Sequence, residues 1–389
     1  MSISDVFWCT TCLNMSTRNR IEFDSHGRCN ACVWSEEKKT VNWSDRENQL
    51  KELFEKHKNG GPYDLIIPVS GGKDSSYVAY NCKYKYGLNP LCVTVHPPTR
   101  SAIGYSNLEN FKKSGYTLIE INLPYEPLRQ MNIRGFVEQG RPLYGWTTAI
   151  FSAVIRLAKA FDISLIMYGE NGEIEYGGSN ESKYRPTFTP DFAKNVFLEG
   201  EVENTFRDLE EADSYFWTFP KSVANIELAH WSYYENWDSY RNYLVAKEHC
   251  GLEEREQQNS GTYTNFAQND NVLYDLHTYL MYLKFGFGRA TQDAGIDIRR
   301  GAMTRDQAIQ LASLYDNELP ETYVDEYLNY YQMSRAEFDN VLKKCHNKIV
   351  TSSKTNPYDQ WCYFVIPKFI YGIPLYNQPE CINYLVTHL

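Results

Sequence analysis

An α/β fold, with a parallel sheet covered by helices on both faces, is the class this sequence predicts, and three observations carry it. Short apolar runs alternate with helix-period segments between residues 64 and 168. The glycine pair Gly71-Gly72 falls between the first of those runs and the first helix after it. Two Cys-x-x-Cys pairs precede the alternation, and a helical pattern follows it from about residue 240.

The cysteine pairs come first in the chain. Cys9/Cys12 and Cys29/Cys32 are separated by 16 residues, which suits a four-cysteine zinc ribbon over residues 1–44. Each pair bends two thiolates to one side, so two pairs close a tetrahedron; Gly27 and Asn30 are expected to give the turns their freedom. A full set of protein ligands makes such a metal structural. Two disulfides are the alternative, and they fit poorly with a chain of cytosolic character. Cys82, Cys92, Cys250, Cys345, Cys362 and Cys381 show no metal spacing and read as buried or idle thiols.

Residues 45–58 predict a helix with Leu50, Leu53 and Phe54 on one face, ended by Asn59-Gly60-Gly61-Pro62. Strands are expected at 64–69, 91–96, 117–122 and 164–168, with helices at 75–86, 105–114 and across 126–161. Residues 45–240 therefore form a doubly wound parallel unit. Ligands of such sheets bind beyond the carboxyl ends of the strands. Ser70–Ser75, His96-Pro97-Pro98 and Gly169-Glu170-Asn171 all follow strands and should meet in one crevice.

Ser70-Gly71-Gly72-Lys73-Asp74-Ser75 is the most telling of these loops. Two glycines let the backbone approach a ligand, and a helix N-terminus offers free N–H groups to phosphate. Lys73 adds a cation, Ser70 and Ser75 add hydroxyls, and Asp74 supplies a carboxylate suited to Mg²⁺. A Walker loop would need four residues between its glycines, then Gly-Lys-Ser/Thr, and that spacing is absent. Glycines at 169, 172, 177 and 178 put mobile backbone at another strand end, with Glu170 as a magnesium ligand or base.

Residues 241–389 read as mainly helical, with helices at 272–285, 304–315, 321–331 and 334–348. Thr304…Gln307 and Ser334…Glu337 have the form of capping boxes. Lys284-Phe285-Gly286-Phe287-Gly288-Arg289 and Arg299-Arg300-Gly301 carry cations on glycine turns, suited to a pyrophosphate or an anionic sugar nucleotide. Helix C-termini also favour cations on dipole grounds alone. The last forty residues predict no particular element.

Composition bounds the function. A formal charge of −10 without a Lys/Arg block argues against nucleic acid as partner, and no apolar stretch is long enough for a membrane span. The polar start lacks a signal-peptide pattern, so a cytoplasmic location is expected. The 31 tyrosines read first as core filling. Ser2 follows Met1 where an N-terminal nucleophile would need cysteine, and no Gly-x-Cys-x-Gly elbow exists. Ammonia, if used, should come from another polypeptide.

The loop at 70–75 resembles the pyrophosphate loop of the ATP pyrophosphatases, the PP-loop superfamily, which cleave ATP between the α and β phosphates. Together with the cysteine ribbon and the segment from Lys284 to Gln307, it makes the chain similar to the N-acetyl sugar amidotransferases of bacterial O-antigen, pseudaminic and legionaminic acid type pathways, from about Phe7 to Lys348. That resemblance implies ATP, Mg²⁺ and structural Zn²⁺. It also implies a nucleotide-activated acetamido sugar as substrate, and a separate glutaminase resembling that of histidine biosynthesis, often with a cyclase-like companion. Catalytic work would fall to Lys73, Asp74, Glu170, Lys284 and Arg289; Ser70, Gly71, Gly72, Ser75, His96 and Gly169 would complete the nucleotide site. A PP-loop tRNA thiolase is the alternative, needing a sulfur-carrying cysteine such as Cys82 or Cys92 near the loop. A non-catalytic nucleotide-binding module is a third reading.

Overall fold

The computed structural model describes residues 6–345 apart from 199, 201, 203–205, 212 and 222. The last forty residues, with Cys362 and Cys381, lie outside the described residues, as does the end of the helix expected at 334–348.

Six strands form one sheet in the order β3-β2-β1-β4-β6-β5. They are β1 (Leu65–Pro68), β2 (Pro90–Val95), β3 (Thr117–Ile121), β4 (Leu165–Tyr168), β5 (Thr187–Phe188) and β6 (Glu227–His230). All pairings are parallel except β5 with β6. The four strands read from the sequence are present within a residue or two of their expected bounds. β5 and β6 were not foreseen, because two and four residues leave almost no periodic signal.

Parallel strands bury both faces, and alternate side chains show it. Ile66, Leu91, Val93, Ile166 and Leu228 face a core shared with helices Tyr125–Gln139 and Tyr144–Ala160 and with Leu273, Leu276 and Leu280 of helix Leu273–Phe285. Leu65, Ile67, Cys92, Leu165 and Met167 face the opposite core, closed by Leu50, Leu53 and Phe54 of helix Trp43–His57 and by Tyr77 and Val78. Tyrosines fill both cores, as the composition suggested: Tyr144, Tyr234, Tyr282, Tyr327 and Tyr331 are fully buried.

Chain order runs outward from β1 in both directions, β2 on one side and β4 on the other. The crevice beyond their carboxyl ends is the topological switch point where such sheets bind ligands. Helices at Arg305–Tyr315, Val324–Tyr331 and Arg335–Cys345 follow the sequence reading. The capping box at Thr304/Gln307 forms, and Ser334 and Glu337 exchange the same pair of bonds. Helices Ser239–Cys250 and Arg289–Arg299 were not read from the sequence. The second carries Gly295 in its middle, a residue that counts against a helix when the sequence is read alone. No helix among the described residues is long and apolar enough to cross a membrane.

Candidate active site

The loop after β1 turns sharply because of Gly71, whose φ is +80°. A Cβ at Gly71 would lie 2.8 Å from the backbone of Asn107 and Leu108, so helix Ala102–Lys113 can approach only a glycine. Helix Lys73–Tyr80 begins directly after Gly72, two residues earlier than expected, which places Lys73 and Asp74 in its first turn. Ser70 Oγ accepts from the Gly72 N–H at 3.4 Å, and the Ser75 hydroxyl donates back to the Gly72 carbonyl at 3.4 Å. The Lys73 ammonium is in direct contact with the Asp74 carboxylate. Asp74 also accepts at 3.2 Å from Nδ2 of Asn242, a buried residue of helix Ser239–Cys250.

Ser70, Gly72, Lys73, Asp74 and Ser75 line a cavity of about 310 Å³ at the switch point, together with Pro97, Gly169, Glu170 and Arg289. Three loops read from the sequence thus converge. Gly169 packs tightly there: a Cβ on it would sit 3.1 Å from the Trp237 ring and 3.2 Å from Asp74 Cβ, so both would have to shift slightly. Glu170 accepts from the Tyr176 hydroxyl at 2.8 Å. Burial pushes its carboxyl up to about 6, and the Asp74 charge adds to the push. Arg289 opens helix Arg289–Arg299, is 9% exposed, and pairs with Asp293 at 2.8 Å. Its pKa is raised: burial acts against the charge, but Asp293, Tyr176 and Glu170 outweigh it.

Three expected residues are not on the cavity wall: Gly71 shapes the loop behind it, and His96 and Lys284 lie elsewhere. Only the neighbours of His96 line the cavity; its ring is tied to Glu120 at 2.7 Å and to Arg100 at 3.2 Å. Lys284 reaches the carbonyls of Gly140 at 3.0 Å and Gln139 at 3.4 Å, capping helix Tyr125–Gln139 in place of entering the cavity. That is the dipole role open to a cation at a helix end. Sequence reasoning missed Asn242, Tyr176, Arg100 and Asp270, whose carboxyl burial raises to about 6. The polar run Asn269-Asp270-Asn271 was a visible loop signal; nothing local marks Asn242. Gly104 lets the 266–271 loop close the cavity, since a Cβ there would be 2.4 Å from Asp270 Cα.

The four ribbon cysteines are buried, and one ligand atom from each lies within 4.8 Å of the others. Cys9 and Cys32 Sγ are 3.8 Å apart, and Cys12 and Cys29 Sγ are 3.7 Å apart. Tetrahedral sulfurs about 2.3 Å from a zinc ion would be separated by roughly 3.8 Å, so the cluster fits a metal. Backbone N–H groups of Thr11, Cys12 and Cys29 point at Cys9 Sγ at 3.2 to 3.4 Å, as thiolate acceptors favour. The buried Arg299 guanidinium is held charged against its burial partly by Cys12, Cys32 and Cys29. Gly27 takes φ +73° as expected, whereas Asn30 begins helix Asn30–Glu37 and donates to the Gly178 carbonyl at 2.5 Å.

The cluster is joined to the cavity. Asn14 Nδ2 donates to Cys29 Sγ at 3.3 Å and to the Tyr176 carbonyl at 2.9 Å, and Tyr176 holds Glu170. Cys82 and Cys92 are fully buried with thiols pushed up by desolvation, and no described cysteine lines the cavity.

Comparison with known proteins places the C-terminal region. The uncharacterized protein MJ1599 of Methanocaldococcus jannaschii is 28% identical over 175 residues, 44% of this chain. The chain spans 61% of the length of that relative. Among solved structures, a U34-tRNA thiolase NcsA from Methanococcus maripaludis with its [4Fe-4S] cluster aligns over 76% of this chain and 86% of its own. The TM-score is 0.30 at 12% identity, a superposition too loose to speak for fold or chemistry. The family model described as "LPS biosynthesis protein WbpG-like, C-terminal domain" matches residues 260–362, in support of the resemblance to the sugar amidotransferases. Residues 260–362, which carry Arg289, Arg299 and Arg300, are therefore similar to the C-terminal domain of WbpG-like LPS biosynthesis proteins.

Proposed function

We propose that the protein is an ATP-dependent amidotransferase of the PP-loop type, which turns an acetamido group of a sugar into an acetamidino group and releases AMP and pyrophosphate. The observation that carries this reading is the meeting of Ser70–Ser75, Glu170 and Arg289 in one cavity at the sheet's switch point.

An amide carbonyl is a poor electrophile, and ammonia does not displace its oxygen unaided. Attack of the amide oxygen on the α-phosphorus forms a P–O bond, breaks the bond to pyrophosphate and leaves an O-adenylyl imidate. Ammonia then adds to the imidate carbon, and AMP departs with the former amide oxygen. The N–H groups at the start of helix Lys73–Tyr80 would grip the pyrophosphate, with Lys73, Ser70 and Ser75 adding contacts. Arg289, charged and buried, would neutralise the leaving group from the C-terminal side. Asp74 and Glu170 are two carboxylates on one cavity, a donor set that fits Mg²⁺. That ion would supply charge neutralisation to the phosphates. An ionised Glu170 that is not so engaged would take the proton released as ammonia adds. The cysteine cluster would hold structural zinc.

Ammonia would come from a separate glutaminase, and the acceptor would be a nucleotide-activated acetamido sugar of bacterial surface polysaccharide biosynthesis. The thiolase reading lacks its reactive group here, since no described cysteine lines the cavity. Incubation with ATP, Mg²⁺, ammonium and a nucleotide-linked diacetamido sugar should release AMP and give a product lighter by about one mass unit, because NH replaces O. Release of ADP, or AMP formation only with tRNA and a sulfur donor, would refute the proposal.

A further inference from the structure

A second cavity, of about 300 Å³, lies against the first and shares Glu170 with it. Its walls come from four places far apart in sequence: helix Asn30–Glu37 with Lys38 and Lys39 after it, the segment from Glu170 to Glu175, the turn at 236–239, and the end of helix Arg289–Arg299. Four cations line it, Lys38, Lys39, Arg299 and Arg300, against three carboxylates, Glu170, Glu175 and Asp238. Lys38 is matched by Glu175 at 2.6 Å, whereas Arg300 has loose ion pairs, 3.5 Å to Asp297 and 4.0 Å to Asp238, and stacks 4.0 Å over the Tyr240 ring with its edge left for an anion.

Two buried donors on these walls have no acceptor. Trp237 is 7% exposed and its indole N–H is unpartnered; Arg299 Nη1 is unpartnered as well. Buried donors left without acceptors cost free energy, of order 1–3 kcal/mol each, and call for an acceptor, which a water, an ion or a ligand drawn against the wall supplies. Trp34 and Trp237 add flat apolar faces beside the cations. A ligand that answers all of this carries anionic oxygens and a ring.

We propose that this second cavity binds the acceptor as a pyrophosphate-linked sugar. Its phosphates meet Arg300 and Arg299, and its amide is directed past Trp237 to Glu170, where the two cavities touch. The proposal rests on the first cavity being the ATP site. It also divides the cationic segments: Arg289 serves the nucleotide, Arg299 and Arg300 serve the acceptor, and Lys284 serves neither.

The test is calorimetric, with the whole protein, UDP-N-acetylglucosamine as probe, and α,β-methylene-ATP with Mg²⁺ as a non-cleavable occupant of the first cavity. The probe should bind equally well with the first cavity filled. Arg300→Ala should weaken it roughly tenfold, the loss of a charged hydrogen bond, and Arg300→Lys should recover part of that. Trp237→Phe keeps the ring and removes the N–H, and should weaken the probe severalfold. Affinity for α,β-methylene-ATP should stay within twofold in the Arg300 variants. Displacement of the probe by α,β-methylene-ATP, unchanged probe affinity in both Arg300→Ala and Trp237→Phe, or no probe binding to the wild type overturns the inference while the ATP reading stands. Failure of α,β-methylene-ATP to bind at all overturns the ATP reading, and this inference with it.

Discussion

Glu170 concentrates the chemistry proposed for the site, and its carboxyl titrates near pH 6. The folded protein therefore holds that proton more tightly than the unfolded chain, whose glutamate titrates near 4.5. Stability from this group is present below pH 4.5 and is lost as pH rises to about 6, a cost of about 2 kcal/mol at neutral pH. Glu170→Gln should raise the urea midpoint at pH 7 and leave it unchanged at pH 4. The same substitution should flatten the rise in kcat between pH 5 and 7 and lower kcat at pH 7 by roughly a hundredfold or more. A variant that is less stable at pH 7, or that keeps the wild-type pH profile, would contradict the role. Asp74→Asn should abolish turnover with the far-UV spectrum intact, because Asn242 can still hydrogen-bond to an amide at that position.

Elements, more than single residues, decide where these groups stand. The approach of helix Ala102–Lys113 to the 70–75 loop and to the 266–271 loop depends on Gly71 and Gly104. Gly104→Ala would press a methyl group onto Asp270, so the loop must move away from the cavity. We expect a stability loss of about 1–3 kcal/mol and a raised KM for ATP, read by denaturation and steady-state kinetics. The cysteine cluster is linked by hydrogen bonds through Asn14 and Tyr176 to Glu170. Cys29→Ser should lower zinc content, the melting temperature and ATP affinity together; a zinc-free variant with wild-type melting would sink the structural role.

Legibility in the sequence follows the same division. Strong local patterns were readable: the Cys-x-x-Cys pairs, the apolar runs of β1 and β2, and the glycine pair before Lys73. Groups that reach the site through tertiary contact were not. Asn242 stands 168 residues from Asp74, and nothing around it sets it apart from any other helical asparagine. Lys284 and Arg289 looked alike as cations flanking glycines. Only the fold shows that Lys284 turns to the end of helix Tyr125–Gln139 and Arg289 to the cavity.

At the scale of the whole molecule, the sheet supplies the crevice, and the segments before and after it supply what the crevice lacks. Arg289 comes from the region matched by the WbpG-like family. The cysteine ribbon braces the loop that carries Glu170 and Tyr176. On the proposal that ammonia comes from a separate glutaminase, ammonium should support turnover and glutamine alone should not, until a glutaminase is added. The most direct test of the account follows the acceptor's oxygen. With ¹⁸O in the acetamido carbonyl, the account predicts that the label appears in the phosphate of AMP, seen as an isotope shift in its ³¹P resonance. Label found in pyrophosphate, inorganic phosphate or water, with unlabelled AMP, would contradict it.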